Sequence, residues 1–185
     1  MYGGYSEIRG SMKVIKVKSV IFLGIPLLFL LINESFSIEK SISGVCSRVL
    51  DGDTVIVNGQ RIRLANIDAP ESSQYSFDGI PIGEMSTDFL TRRIQGKFVV
   101  VKYFLRGRYG RVIGSIWIDD KNINNELLEK GMALVYGDGV SLDQIALEYT
   151  AKLNRKGIFK TVGFSRPAVF RSKKRRLIGK AKPTN

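Results

Sequence analysis

The sequence predicts an α+β domain that is mainly β, with five strands and about three helices. Five runs rich in β-branched and aromatic residues are separated by turn residues, and helical apolar spacing appears only between the third and fourth runs and after the fifth. The 185 residues are 44% hydrophobic and 25% charged, a balance typical of one globular domain. We therefore expect a single core.

The first three strands are predicted to follow one another through tight turns. Residues 44–50 and 54–57 have the composition of strands and are separated by Asp51-Gly52-Asp53. Asn58-Gly59 is typical of a two-residue hairpin turn, which leads into a third strand over residues 61–67.

The middle of the chain predicts a helix between two further strands. Residues 83–94 have near-helical apolar spacing, and Gly96 stands where a C-terminal cap belongs. The β-rich segments 98–105 and 111–118 are the fourth and fifth strands. This order of elements suggests a closed or partly open five-stranded barrel of the OB type, which commonly binds oligonucleotides.

Two more helices are predicted after the fifth strand. Asn124 is expected to cap a short helix that runs through Lys130 and is ended by Gly131. A capping-box pattern at Ser141 and Gln144 opens a longer helix, which Gly157 stops. One apolar stripe is expected along this helix, made of Leu142, Ile145, Tyr149 and Leu153.

The first 37 residues have the pattern of a signal peptide. Lys13, Lys16 and Lys18 precede an apolar run over residues 20–32, and small residues follow at Ser35 and Ser37. A helix of this run would span roughly 20 Å, which is short of a hydrocarbon core of roughly 30 Å. A removable signal is therefore favoured over a membrane anchor, with Met12 a candidate for the true start. The expected location is outside the cell or in the periplasm.

Charge divides the remainder into a domain, residues 38–170, and a basic tail, residues 171–185. From Arg171 onward there are seven basic residues and no acidic ones, within a chain whose formal net charge is +12. We expect this tail to be mobile and to add non-specific binding to a polyanion. The alternative is a solvated terminus that has no specific partner.

Residue types that are missing restrict the chemistry. The chain has no histidine, which excludes imidazole acid–base catalysis, Ser-His and Cys-His nucleophiles and His-based zinc sites. Its single cysteine, Cys46, cannot form an internal disulfide or a Cys-rich zinc site. Any catalyst must use Asp, Glu, Lys, Arg, Tyr or a hard metal ion.

Three motifs carry such residues. They are Asp51-Gly-Asp-Thr54, the segment from Arg63 to Glu71 that contains Asp68-Ala69-Pro70, and Arg108-Tyr109-Gly110-Arg111. Taken singly, they are also compatible with a turn between strands, an Asp cap before a proline, and a basic loop.

Together the motifs supply what phosphodiester hydrolysis needs. Asp53 and Asp68 are hard oxygen ligands that could hold Ca²⁺, and Glu71 could orient or deprotonate a water molecule. Arg63 and Arg111 have planar donors that match phosphate oxygens. Substrate contacts are expected from the third motif, at Arg108 and at Tyr109, which could pack on a sugar or base.

These motifs resemble those of the staphylococcal (thermonuclease, micrococcal nuclease) family. The resemblance rests on DGDT, R-x4-D-A-P-E, R-Y-G-R, the segment Asn124-x-x-Leu127-x-x-x-Gly131-x-Ala133 and the ending Gly157-Ile-Phe, and it covers residues 42–170. It implies an OB barrel with three helices that cleaves DNA and RNA with Ca²⁺ and leaves 3′-phosphate ends. By motif, Arg63, Glu71 and Arg111 match the catalytic positions, and Asp53, Asp68 and the carbonyl of Ala69 match the calcium ligands. Gly107 differs from the family pattern, in which an acidic residue is common.

Two other functions are compatible with parts of the sequence. A nucleic-acid-binding module could keep the barrel without cleaving, and an exported basic protein could use residues 171–185 to hold anionic lipid or cell wall. Binding alone would not require the whole set of carboxylates and arginines, which comprises Asp53, Asp68, Glu71, Arg63 and Arg111. We therefore predict an endonuclease that acts as a monomer, with no obligate protein partner.

Overall fold

A computed structural model of the chain describes residues 40–107 and 111–180. The predicted signal peptide and the predicted substrate residues Arg108 and Tyr109 lie outside these ranges. The described residues form eight strands, which are β1 (Lys40–Asp51), β2 (Thr54–Val57), β3 (Gln60–Leu64), β4 (Ile67–Asp68), β5 (Phe98–Arg106), β6 (Val112–Ile118), β7 (Lys121–Asn122) and β8 (Leu134–Val135). They also form four α-helices, which are α1 (Ile82–Ile94), α2 (Ile123–Glu129), α3 (Leu142–Leu153) and α4 (Pro167–Lys180), and a 3₁₀ turn at Gly157–Lys160.

Five of the strands close into a barrel. Antiparallel pairing gives the order β3-β2-β1-β5-β6, and a parallel pairing of β3 with β6 joins the two ends. β1 is long and bends at irregularities between Cys46 and Arg48 and between Val49 and Asp51, where bulges let one strand serve two neighbours. The predicted OB-type α+β fold is therefore confirmed.

The core fills the barrel and continues under α1 and α2. Alternate residues of the strands point inward, so Val55, Ile62 and Ile116 are fully buried. Cys46 belongs to the same core, where burial raises the pKa of its thiol. Leu90 of α1 and Leu127 of α2 are fully buried in this core.

The strand predicted over residues 61–67 is interrupted. β3 ends at Leu64, and Asn66 takes a left-handed backbone conformation with φ of 63°, which asparagine tolerates better than most residues. The chain then re-forms as β4, which pairs with β8 instead of with the barrel. This break directs Asp68 toward the barrel surface on which the candidate site lies.

The prediction for the α2 cap was wrong by two residues. The side chain of Asn122, not that of Asn124, accepts a hydrogen bond from the backbone of the first turn, at 3.2 Å from the nitrogen of Asn125. Asn124 is fully buried instead, and its amide donates to the carbonyl of Ala65 at 2.9 Å and accepts from the nitrogen of Ile116 at 3.1 Å. It ties the end of β3 to β6.

The capping box at Ser141 and Gln144 is confirmed at the start of α3. The apolar stripe of that helix lies on its exposed side: Leu142 is 84% exposed, and the other three stripe residues are also exposed. Gln144 and Ala151 are the buried positions. The helix rests on its less apolar face.

The tail prediction was wrong for residues 171–180. These residues continue α4, which begins at Pro167, so the chain is helical across the predicted domain boundary. Residues 181–185 lie outside the described part. Within the described ranges, no helix combines the length and the apolar character needed to cross a bilayer.

Candidate active site

A cleft of about 520 Å³ lies on the barrel surface between the β1–β2 turn, β3 and the start of β6. Its lining is rich in charge, with six acidic or basic side chains among the described residues: Asp51, Arg61, Arg63, Glu71, Arg111 and Arg171. Two carboxylates, Asp53 and Asp68, lie just beneath this lining and are each 2% exposed. Buried carboxylates need cationic or hydrogen-bonding partners, so their contacts define the site.

The turn between β1 and β2 holds Asp53. Its backbone nitrogen donates to Asp51 Oδ1 at 3.1 Å, and its own Oδ1 accepts from the Thr54 hydroxyl at 3.1 Å. Its Oδ2 accepts from the nitrogen of Ala69 at 2.9 Å. A side chain at Gly52 would stand 2.6 Å from the Ala69 Cβ, so glycine allows this close approach of the turn to the Asp68-Ala69 segment.

Arg63 joins the two buried carboxylates. Its Nη1 donates to Asp53 Oδ1, and its Nη2 donates to Asp68 Oδ1 at 2.8 Å. Even with this partner, burial raises the pKa of Asp53 to about 7, although the charge of Arg63 acts to lower it. One guanidinium therefore only partly offsets the burial of the carboxylate.

The C-terminal helix reaches the same carboxylates. Arg171 of α4 donates through Nη1 to Asp68 Oδ1 at 2.9 Å and to Glu71 Oε1 at 2.8 Å, and through Nη2 to Asp68 Oδ2 at 3.1 Å. Burial acts to lower the pKa of the Arg171 guanidinium, but the bonds and charges of Asp68 and Glu71 outweigh it and raise the pKa. Arg171 is therefore permanently cationic at this position.

Arg111 lines the same cleft, directly before β6. Its carbonyl accepts from the nitrogen of Gly107 at 2.7 Å, so a backbone bond closes the loop where the family pattern has an acidic residue. Its Nε is buried and has no hydrogen-bond partner among the residues the structure describes. A buried donor without a partner is costly, so this guanidinium is suited to an anionic ligand.

The structure brings together all the predicted site residues that it describes. Arg63, Glu71 and Arg111 line the cleft, and Asp53, Asp68 and Ala69 lie beneath it. Sequence reasoning missed Arg171, which we had assigned to the tail, and did not single out Arg61. No local signal identifies Arg171, because it is a hundred residues from Glu71 along the chain.

The donors at the site suit a hard cation. Asp53 and Asp68 offer carboxylate oxygens, which Ca²⁺ and Mg²⁺ prefer, and no sulfur ligand occurs among the described residues that line the cleft. No group of three or more Cys, Asp or Glu side chains suited to a metal ion occurs in the described ranges. A cation here would therefore need backbone carbonyl oxygen and water to complete its shell.

A closed five-stranded barrel with buried carboxylates and arginines on one surface defines an OB-type protein with a highly charged surface cleft. The chain belongs to the staphylococcal nuclease family, because residues 61–161 match the family described as "Staphylococcal nuclease homologue". This match ends before α4 and begins after Asp53.

Similar proteins include nucleases from distant organisms. An "Uncharacterized endonuclease" from Escherichia coli is 36% identical over 140 residues, which cover 72% of this chain and 87% of that protein. A "Thermonuclease" from Staphylococcus intermedius is 28% identical over 59% of this chain and 72% of its own length. A "Probable staphylococcal-like nuclease" from Oryza sativa subsp. japonica is 33% identical, although this chain covers only 36% of it.

Proposed function

We propose that this protein is a calcium-dependent endonuclease that hydrolyses phosphodiester bonds of DNA and RNA and leaves 3′-phosphate ends. The observation that carries the proposal is the placement of Asp53 and Asp68 beneath a cleft whose wall holds Glu71 and Arg111. Family membership supports the activity class, and the printed names of the similar proteins are those of nucleases.

The buried carboxylates are the proposed metal ligands. Asp53, Asp68 and the carbonyl of Ala69 would hold the cation, which would neutralise charge on the phosphate and help to orient the attacking water. A protein that only binds nucleic acid gains nothing from burying two carboxylates, because they repel phosphate and are costly to desolvate. Their burial therefore favours cleavage over simple binding.

The arginines are the proposed phosphate ligands. Arg111 has a buried Nε without a partner among the described residues, so an incoming phosphate oxygen would satisfy it. Arg63 offers a second guanidinium at the cleft wall, next to the carboxylates that it pairs. Negative charge grows on the phosphoryl oxygens as water attacks phosphorus, and fixed donors stabilise that charge.

Glu71 is the proposed general base. It is partly exposed at the cleft, where water can reach it. Its carboxylate would take a proton from the attacking water, the bond from phosphorus to the 5′ oxygen would break, and that oxygen would leave with a proton from solvent. The phosphate then stays on the 3′ side of the break.

A nuclease assay with and without Ca²⁺ tests the mechanism. We expect Glu71→Gln to lose about 10²- to 10⁴-fold in turnover, and Arg111→Ala about 10²- to 10³-fold. Glu129→Gln is the matched control, because Glu129 is a similarly exposed carboxylate paired with Lys130 away from the cleft. Full activity in both site variants, or activity that is independent of metal, would contradict the mechanism. Tight DNA binding without cleavage would favour the binding-module alternative.

Export is a separate part of the proposal. Residues 1–37 would direct the chain out of the cytoplasm and be removed after Ser37, which places the enzyme outside the cell or in the periplasm. N-terminal sequencing of the mature protein is the test. A first residue well before Ile38 would contradict the cleavage site.

A further inference from the structure

The contact of Arg171 with the carboxylates gives α4 a role that the family match does not cover. The match ends at residue 161, yet α4 delivers a guanidinium to the proposed metal ligand Asp68 and the proposed base Glu71. The Arg171 Nη1 bridges the two carboxylates at 2.9 and 2.8 Å. Both groups are therefore occupied by an internal cation.

Asp68 has little free capacity left. Its Oδ1 accepts from both Arg63 and Arg171, and its Oδ2 accepts from Arg171. An ionised carboxylate has about four acceptor sites, so three donors leave only one for a metal ion. A divalent cation bound to Asp68 would also be repelled by two guanidinium charges. Loss of one of these contacts would reduce the repulsion and free a further ligand position for the cation.

Arg171 is easier to displace than Arg63. Arg63 belongs to β3, a strand of the barrel wall, and both Nη atoms of its guanidinium are held, one by Asp53 and the other by Asp68. Among the described side chains of α4, Pro167 is buried and those from Lys173 to Ile178 are exposed. Beyond Arg171, the helix makes one further side-chain hydrogen bond that the structure describes, from the exposed Lys174 Nζ to the Ser73 hydroxyl at 3.2 Å. A small rotation about the start of α4 would withdraw Arg171 without disturbing the sheet.

We propose that Arg171 is a built-in counter-cation of the active site, which a divalent metal ion displaces from Asp68. Its departure also releases the Glu71 carboxylate, so one exchange frees a metal ligand and the base. In the metal-free protein α4 then holds the site in an inactive arrangement. This inference rests on the proposed metal site at Asp53 and Asp68.

Calorimetric titration of Ca²⁺ into the full-length protein, without nucleic acid, tests the exchange. We expect Arg171→Ala to bind Ca²⁺ about tenfold more tightly than the unchanged protein, because the competing charge is gone. The matched control is Arg175→Ala, which removes the same charge one turn later from an exposed position, and we expect it to change affinity less than about twofold.

The outcomes separate the two proposals. Unchanged or weaker Ca²⁺ affinity in Arg171→Ala overturns the exchange but leaves the metal site intact. Equal tightening in Arg175→Ala also overturns it, because general charge would then explain the effect. Absence of Ca²⁺ binding in all three proteins overturns the exchange and the calcium-dependent function together.

A second measurement needs no variant and so does not depend on how Arg171→Ala folds. Amide hydrogen exchange of the unchanged protein is compared with and without Ca²⁺. We expect faster exchange at residues 168–176 when Ca²⁺ is added, because α4 loses its polar attachment, and unchanged exchange in β2 and β3. Slower or unchanged exchange at residues 168–176 would overturn the displacement.

Discussion

The barrel wall of the cleft and the C-terminal helix supply its charges in different ways. Asp53, Arg63 and Asp68 come from one stretch of chain, between β1 and the end of β4, and hydrogen bonds within that stretch fix their side chains. Arg171 arrives on α4, whose second half is exposed. The three barrel residues are held by the barrel strands and turns, whereas Arg171 is held by a helix outside the barrel.

This difference predicts how each region responds to substitution. Loss of a charged side chain from the barrel wall should destabilise the protein, because its buried partners would be left without a counter-charge and without access to water. Loss of charge from α4 beyond Arg171 should change ligand binding and leave stability almost unchanged. The following predictions test that separation.

The largest effect on stability is expected from Arg63→Ala. It leaves Asp53 and Asp68 without their shared guanidinium, and breaking a buried ion pair costs about 3 kcal/mol or more in the free energy of unfolding. Chemical denaturation of the metal-free protein measures it. Arg61→Ala is the control, because Arg61 is on the same strand but exposed. Equal free energies of unfolding in the two variants would contradict a stabilising role for the ion pairs of Arg63.

A smaller loss is expected from Asn124→Ala. The buried amide links the end of β3 to β6, and unpaired backbone groups would remain after its removal, at a cost of about 2 kcal/mol. Asn122→Ala removes only the cap of α2 and should cost about 1 kcal/mol. Thermal unfolding of both variants ranks them. A reversed order would support the sequence-based assignment of Asn124 as the cap.

Deletion of residues 173–185 should affect binding more than stability. It removes six basic residues but keeps Arg171, and the described side chains from Lys173 to Ile178 are exposed. We expect weaker DNA binding with a flatter dependence on salt, since fewer counterions are released. The measurement is DNA affinity over a range of salt concentrations, beside an unfolding curve. A large drop in stability with an unchanged salt slope would contradict the separation of the two regions.

Local signals explain what the sequence could predict. The hairpin at Asn58-Gly59 and the capping box at Ser141 each depend on residues close together in the chain, and their positions follow from turn and cap chemistry. The barrel follows from the order of strands and helices. The sequence could also predict that Asp53, Arg63 and Asp68 lie close together, because they belong to neighbouring strands and turns.

The failures share a different cause. Arg171 contacts Asp68 and Glu71 only because of the tertiary structure. From sequence alone, a run of basic residues without acidic ones predicts a solvated tail. The break at Asn66 depends on the pairing of β4 with β8, two strands that are far apart in the sequence. Periodicity also identified an apolar stripe on α3 without deciding which face the barrel would cover.

That stripe gives the smallest predicted effect. Leu142→Ser should change the free energy of unfolding by less than about 0.5 kcal/mol, because the side chain is already 84% exposed and has little contact to lose. Ala151→Ser on the opposite, buried face should cost more, since a hydroxyl would enter the core without an assured partner. Thermal unfolding of the two variants shows which face of α3 is buried. A larger loss of stability in Leu142→Ser than in Ala151→Ser would mean that the stripe is covered in solution. The exposed face of α3 would then have to make buried contacts, as the barrel strands do.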